Sequence, residues 1–314
     1  MSKPAIGFFA PSGFLEPAVM DRAAHYLAAR GWQVSAGESV FAREQRFAGP
    51  DALRLAELQR FASDPLLDVA VCARGGYGLT RLLDQIDYAA IAAAGLPVVG
   101  YSDFTAFSLA LYACAGGISF QGPSAGDFAA AADSGNADAA YTMEHFFGAL
   151  TEEAYAFEFA LGELSPSASL GRGRLDLLGR LWGGNLAMVC SLLGTPYLPR
   201  IRGGILFLED VNEPAYRIER LLLQLLQSGV LEQQKAIVLG DFSGVTATPR
   251  DEGYDLAAAC AALRKRCPVP IISGLPFGHG RRRVTLPVGA PARITVNGER
   301  VLLQFRGYPR LRSR

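Results

Sequence analysis

Short buried strands alternate with amphipathic helices through the first half of this chain, and that alternation constrains its fold most. An apolar run at 5–10 ends in Pro11-Ser12-Gly13. Helical periodicity follows over 17–30 and stops at Gly31, a residue suited to the position after a helix. The pattern then predicts a strand at 32–36, a helix at 51–63, a buried strand at 69–73, a helix at 79–85, a strand at 97–100 and an apolar helix at 104–113. Strands alternating with helices imply βαβ units and a mostly parallel sheet. Ligands of such sheets bind at the carboxyl ends of the strands, where the turns after Ala73 and Val99 both lie.

The second half reads differently. Residues 161–174 (LGELSPSASLGRGR) are rich in Gly, Ser and Pro and form the best candidate linker. An apolar helix is expected at 186–193, a strand at 205–208 ending in Glu209-Asp210, and an amphipathic helix at 216–228 carrying Ile218, Leu221, Leu222 and Leu225. Strands at 236–239 and 271–272 come next, with a loop at 273–283. Strands at 284–286, 292–296 and 301–305 follow, the last two joined by an Asn297-Gly298 hairpin signal. The expected fold class is therefore α/β: a Rossmann-like parallel sheet domain over 1–160, a linker over 161–174, and a smaller mixed α/β, β-rich domain over 175–314.

Length and composition narrow the function. A chain of 314 residues can bury a large core without disulfide or metal staples. Thirty basic residues balance thirty acidic ones, which argues against nucleic-acid binding. No stretch of about 18 uninterrupted apolar residues offers a membrane span. Pro11 and Gly13 cut the N-terminal apolar run too short for a signal peptide, so the expected location is cytoplasmic. The five cysteines, Cys72, Cys114, Cys190, Cys260 and Cys267, have no CxxC spacing and read as small buried hydrophobes in a reducing compartment. Three histidines are too few for a His-rich metal site. A histidine base, if the chain uses one, is His25, His145 or His279.

In Val98-Val99-Gly100-Tyr101-Ser102-Asp103 an apolar strand meets glycine, then serine, then a helix. That is the layout of a nucleophile elbow, which presents a hydroxyl at a helix N-terminus. Phe104 stands where the usual second glycine would be, and Ser102 or Asp103 acting as a plain helix cap fits as well. His25 and His145 fall in predicted helices, whereas His279 sits between Gly278 and Gly280 in a loop, the best-placed candidate base. Glu209 closes a buried strand and can orient such a base, with Asp210 and Glu213 as near alternatives and a structural ion pair as the plain reading. By strand alternation, Glu209 and Asp210 should point to opposite sides. Arg74-Gly75-Gly76-Tyr77-Gly78 offers backbone N–H groups to an anion or oxyanion, or is a tight βα turn. No dinucleotide fingerprint or Walker A motif is present.

Together, Arg74-Gly75-Gly76-Tyr77-Gly78, Gly100-Tyr101-Ser102-Asp103-Phe104-Thr105-Ala106, Leu181-Trp182-Gly183-Gly184-Asn185-Leu186, Leu208-Glu209-Asp210-Val211-Asn212-Glu213 and Gly274-Leu275-Pro276-Phe277-Gly278-His279 give the chain a resemblance. It resembles the LD-carboxypeptidases, bacterial serine peptidases of peptidoglycan recycling, from Ile6 to about Gly289. The resemblance implies a Ser102–Glu209–His279 triad: nucleophile, orienting carboxylate and general base. It implies an oxyanion hole from the backbone N–H of Gly76 or its neighbour and of Asp103. It also implies a site at the interface of the two domains, often in a homodimer.

The implied reaction is hydrolysis of the amide between an L-centre, meso-diaminopimelate, and terminal D-alanine of a murein tetrapeptide, with no metal or organic cofactor. The substrate's terminal carboxylate calls for an arginine, for which Arg74 and the arginines after His279 are candidates. Trp182 is placed either against substrate or in the core. One departure is Ser124, after Gln121-Gly122-Pro123, where relatives often carry an apolar residue. Two other functions stay open at this stage. One is a related hydrolase that cleaves a peptide–nucleotide antibiotic conjugate for self-immunity; the other is a muropeptide-binding module without activity.

Overall fold

The computed structural model describes residues 3–165 and 174–311. Most of the linker expected at 161–174 therefore lies outside the described residues. Its first residues are pinned to the second half: Gly162 N–H donates to the Ser273 carbonyl at 2.9 Å, and the Ser165 hydroxyl to the Ile271 carbonyl at 2.7 Å.

The first half forms the expected α/β layer. Its elements are β1 (Ala5–Phe9), α1 (Pro17–Ala28), β2 (Gln33–Ala36), α2 (Asp51–Ala62), β3 (Val69–Cys72), α3 (Tyr88–Ala94), β4 (Val98–Gly100), α4 (Thr105–Ala115) and β5 (Ser119–Gln121). Strands β2-β1-β3-β4-β5 lie side by side in that order and are all parallel. This is a doubly wound order whose switch point falls between β1 and β3. β1, β3 and β4 are buried on both faces, which explains their unbroken apolar runs. The helix expected at 79–85 is instead two single 3₁₀ turns, Leu79–Arg81 and Leu83–Gln85. The Leu79 N–H, one of the donors a helix start leaves without a partner, donates to the Asp103 carboxylate at 2.9 Å.

Two more helices, α5 (Ala125–Ala130) and α6 (Ala137–Thr151), lead to β6 (Ala154–Ala160). The second half contributes β7 (Leu175–Asn185), α7 (Leu186–Ser191), β8 (Ile205–Val211), α8 (Ala215–Gln227), β9 (Ala236–Ser243), α9 (Leu256–Arg264), β10 (Ile271–Ser273), β11 (Leu286–Val288), β12 (Pro291–Asn297) and β13 (Arg300–Arg306). The seven-stranded sheet runs β10-β9-β8-β7-β12-β13-β6. It is parallel from β7 to β10 and antiparallel from β7 to β6, because the long β7 pairs β12 along its first residues and β8 along its last. Each sheet takes a strand from the other half of the chain. β6 closes the second sheet, and β11 adds antiparallel to β5 at the edge of the first. The chain thus crosses between the layers on both sides of position 160.

Cys72, Cys190, Cys260 and Cys267 are buried and free as expected, whereas Cys114 is exposed. Among the described residues no helix is long and apolar enough to cross a membrane. His145, on α6, is buried against β6. Its Nδ1 hydrogen-bonds the Tyr155 hydroxyl at 2.9 Å, and its ring packs on Tyr141 and Phe157. Burial pushes its pKa below the ordinary histidine value; nearby Arg282 acts in the same direction and Glu144 opposes it. A depressed folded-state pKa means the unfolded chain binds the extra proton, so this contribution to stability is present above about pH 6.5 and fades as pH falls below it. Denaturant melts at pH 7.5 and 5.5 should show the wild type losing stability at the lower pH, and His145→Gln losing less. An identical loss in both proteins would contradict this.

Candidate active site

β4 delivers its chain end to a strained turn. Tyr101 is extended, but Ser102 adopts a left-handed backbone with φ 65°, uncommon for a residue other than glycine. A 3₁₀ turn, Ser102–Phe104, then feeds directly into α4. A non-glycine residue held there costs on the order of 1–3 kcal/mol, so its surroundings must over-determine it. They do so from three directions. Gly100 has no room for a side chain, since a Cβ would lie 2.6 Å from the Phe104 ring and 2.7 Å from the Cys72 Cβ. The Asp103 carboxylate is anchored away from the turn: the Ser12 hydroxyl donates to it at 2.6 Å and the Leu79 N–H at 2.9 Å. Burial pushes that carboxyl above its ordinary range, and these hydrogen bonds act against the shift. Gly75 lies directly on Ser102, where a Cβ would sit 2.8 Å from the serine Cβ and 3.0 Å from its Oγ. The glycine turn after β3 therefore runs over the serine hydroxyl, and Gly13 after β1 supports it by donating to the Gly75 carbonyl at 3.1 Å.

The second sheet brings a carboxylate and an imidazole to the same side. Glu209, near the end of β8, has 0% exposure. Its Oε2 accepts from His279 Nδ1 at 2.7 Å, and its Oε1 from Asn185 Nδ2 at 3.2 Å. A hydrogen bond from Nδ1–H to a carboxylate leaves Nε2 with its lone pair free to accept a proton. His279 keeps 18% side-chain exposure. Its loop packs on the end of β9, where the Asp241 N–H donates to the Phe277 carbonyl at 2.8 Å. Gly278 is needed for space, whereas Gly280 faces only the end of the exposed Asp241 side chain. A Cβ on Gly278 would sit 2.8 Å from the Asp241 Cβ, and one on Gly280 would collide with the Asp241 carboxylate at 1.7 Å.

Glu209 and Asp210 do not point to opposite sides, as simple alternation requires. Asn185 Nδ2 bonds both, reaching Asp210 Oδ1 at 2.9 Å. The cause is a register irregularity between Leu208 and Asp210, which turns the strand locally. Asp210 also accepts from the Ala187 and Val211 N–H groups and so fastens the start of α7. Glu213 pairs with Arg217 at 2.7 Å on the first turn of α8.

Tyr101, the residue before Ser102, joins the two segments: its ring lies 5.0 Å from the His279 ring, centroid to centroid. Among the described residues the Ser102 hydroxyl makes no hydrogen bond to His279, a contact that unliganded sites often close only on binding substrate. The other sequence candidates sit as follows. Arg74 is exposed beside the site and donates to the Phe14 carbonyl at 2.8 Å. Gly76 occupies the turn over Ser102 at φ 118°. Trp182 is 1% exposed in the second sheet, and its indole donates to Gln234 Oε1 at 2.9 Å, so of its two sequence placements the structure occupies the core one. His25 is exposed on α1. Among the described residues no group of three or more His, Cys, Asp or Glu could hold a metal ion.

Three residues of the site had no role assigned from sequence. Tyr101 lay inside the elbow motif without a role. Asn185 carried a weak signal, two glycines at a strand end; Gly183 and Gly184 at φ 133° and 139° let β7 press against β8 and α4, and the Asn185 N–H then donates to the Thr105 hydroxyl at 3.0 Å. Asp127 had none, and Arg283, among the arginines after His279 offered for the substrate's carboxylate, instead forms a largely buried ion pair with it beside Tyr101, across 156 residues.

Residues 6–122 match the N-terminal domain of LD-carboxypeptidases and residues 178–294 their C-terminal domain. The chain belongs to the LD-carboxypeptidase family. As a member it is a serine-type carboxypeptidase, a hydrolase. It is 31% identical to the murein tetrapeptide carboxypeptidase of Pseudomonas aeruginosa, over 93% of each chain. The crystal structure of muramoyltetrapeptide carboxypeptidase from Oxalobacter formigenes superposes with a TM-score of 0.88 at 38% identity, covering 97% of this chain and 99% of that one. The microcin C7 self-immunity protein of Escherichia coli is 27% identical, over 94% of this chain and 92% of its own.

The packing of Gly75 against Ser102 makes one substitution diagnostic. Gly75→Ala should push the serine turn out of place, lower stability by about 1–3 kcal/mol as overpacking does, and reduce labelling of Ser102 by a fluorophosphonate. Wild-type stability and labelling together would show that the turn does not press on the serine.

Proposed function

We propose that this protein removes the terminal D-alanine from murein tetrapeptides, cleaving the amide after the L-centre of meso-diaminopimelate, in cytoplasmic peptidoglycan recycling. One observation carries the mechanism: the 2.7 Å bond between His279 Nδ1 and the fully buried Glu209, next to the Tyr101-Ser102 turn. Glu209 holds the imidazole with Nε2 free and stabilises the imidazolium that forms. Ser102 Oγ attacks the scissile carbonyl carbon as its proton passes to Nε2. The carbonyl oxygen becomes an oxyanion between the backbone N–H groups of Gly76 and Asp103. His279 returns the proton to the departing nitrogen, D-alanine leaves, and an ester to Ser102 remains. Water, deprotonated by the same Nε2, then cleaves the ester and restores the serine.

Arg74, exposed and next in sequence to the glycine lying on Ser102, is the candidate for the substrate's terminal carboxylate. The names of the Pseudomonas and Oxalobacter relatives support the murein substrate. Cleavage of a peptide–nucleotide conjugate is less well supported, because both tryptophans are engaged in packing. Trp182 is in the core and Trp32 packs at a tilt on Phe147, ring centroids 5.8 Å apart. The protein is expected to act as a homodimer and to need no metal or organic cofactor.

Incubation with free murein tetrapeptide, followed by mass spectrometry, should show loss of D-alanine. Ser102→Ala and His279→Ala should each lower kcat by about 10⁴-fold or more, as removal of one member of such a unit does. Chelators should leave the rate unchanged. Retained activity in Ser102→Ala would remove the serine from the mechanism, and chelator-sensitive turnover would point to a metal.

A further inference from the structure

Arg283 brackets His279 without touching it. The arginine is 4% exposed. Its Nε donates to the Gly278 carbonyl at 3.2 Å and its Nη2 to the Gly280 carbonyl at 3.3 Å, the carbonyls immediately before and after His279. Its Nη1 pairs with the Asp127 carboxylate. The guanidinium carbon lies 4.1 Å from the centre of the Tyr101 ring, and that ring in turn packs on His279. The Ser124 hydroxyl and N–H engage the same Asp127 carboxylate as the cap of α5. The backbone N–H of Arg283 donates to Thr142 on α6 at 3.0 Å, fixing the start of the side chain. One planar cation therefore touches the histidine loop on both flanks, the residue preceding Ser102, and an acid on a helix of the first layer. A guanidinium suits this task because its donors diverge in a rigid plane while its face stacks on an aromatic ring; a lysine ammonium can do only part of it.

We infer that Arg283, anchored by Asp127, is a positioning residue that sets the distance and angle between His279 and the Ser102 turn. This rests on the mechanism proposed above. It also removes Arg283 from the residues that could bind the substrate's carboxylate, since each guanidinium nitrogen already has a protein partner and the group is shut away from solvent. Ser124 then has a role on the acid's side: its hydroxyl and N–H hold the carboxylate that pairs with the arginine. Misplacing a reacting group by about 1 Å can lower a rate 100-fold, which sets the size of the expected effect.

The test is steady-state kinetics on murein tetrapeptide with Arg283→Met, Arg283→Lys and Asp127→Asn, together with the rate at which a small fluorophosphonate labels Ser102. Labelling needs the base but not peptide recognition. Arg283→Met is expected to lower kcat by about 100-fold with KM unchanged, and to slow labelling in parallel. Arg283→Lys should recover part of kcat. Asp127→Asn, which keeps the arginine but loosens its anchor, should show the same split in milder form, and it carries the test if Arg283→Met does not fold. A rise in KM with kcat and labelling intact would make Arg283 a substrate-binding residue and overturn the inference. So would full kcat in Arg283→Met alongside an inactive His279→Ala, and that result would leave the proposed mechanism standing. Full activity in His279→Ala would overturn both.

Discussion

The site depends on a carboxylate buried where water cannot reach it. Glu209 has no exposed surface, and an ion in that position is tolerable only if both its oxygens are hydrogen-bonded. His279 and Asn185 supply those bonds, one from a loop after β10 and one from the end of β7. The requirement explains several features at once. The histidine must lie close, so the residue before it is a glycine that fits against Asp241. The asparagine must reach the end of β8, so β7 approaches through two glycines in conformations that other residues avoid. A local irregularity in β8 then brings Asp210 to the same amide and fastens α7. Removing either partner would strand the charge, so the pair is a structural element as well as the oriented base proposed above.

The second constraint is that the two sheets keep a fixed relation. The serine belongs to the doubly wound sheet and the histidine to the mixed one, so any sliding between layers would separate them. Exchange of β6 and β11 stitches the layers at two edges. The Asn185 N–H to Thr105 bond joins the end of β7 to the first residue of α4, three residues beyond Ser102. Tyr101 against His279 and Arg283, with Asp127 behind them, closes the remaining side. The strained Ser102 conformation survives because its neighbours are fixed from both layers.

Much of this was legible in the amino-acid order, for identifiable reasons. Strands β1, β3 and β4 are buried on both faces and leave unbroken apolar runs, so the parallel layer could be read directly. Local motifs marked Ser102, Glu209 and His279, because an elbow, a strand-end acid and a glycine-flanked histidine each have short-range signatures. What could not be read depends on distant pairing. The three-residue β5 and the return of β11 to its edge have no local pattern strong enough to announce them. The Asp127–Arg283 pair spans 156 residues. Trp182 fitted pocket or core equally well until its indole partner Gln234 was known. Alternation misplaced Asp210 because a bulge breaks the period of two on which alternation rests.

The central claim is that Ser102 becomes covalently acylated by the peptide while His279, held by Glu209, moves the proton. It is tested most directly by acid-quenching the enzyme during turnover of murein tetrapeptide and mapping the adduct by mass spectrometry. The expected adduct is the tetrapeptide less its D-alanine, as an ester on the fragment containing Ser102. An acyl group on any other residue, or release of D-alanine with no adduct at any quench time, would contradict it.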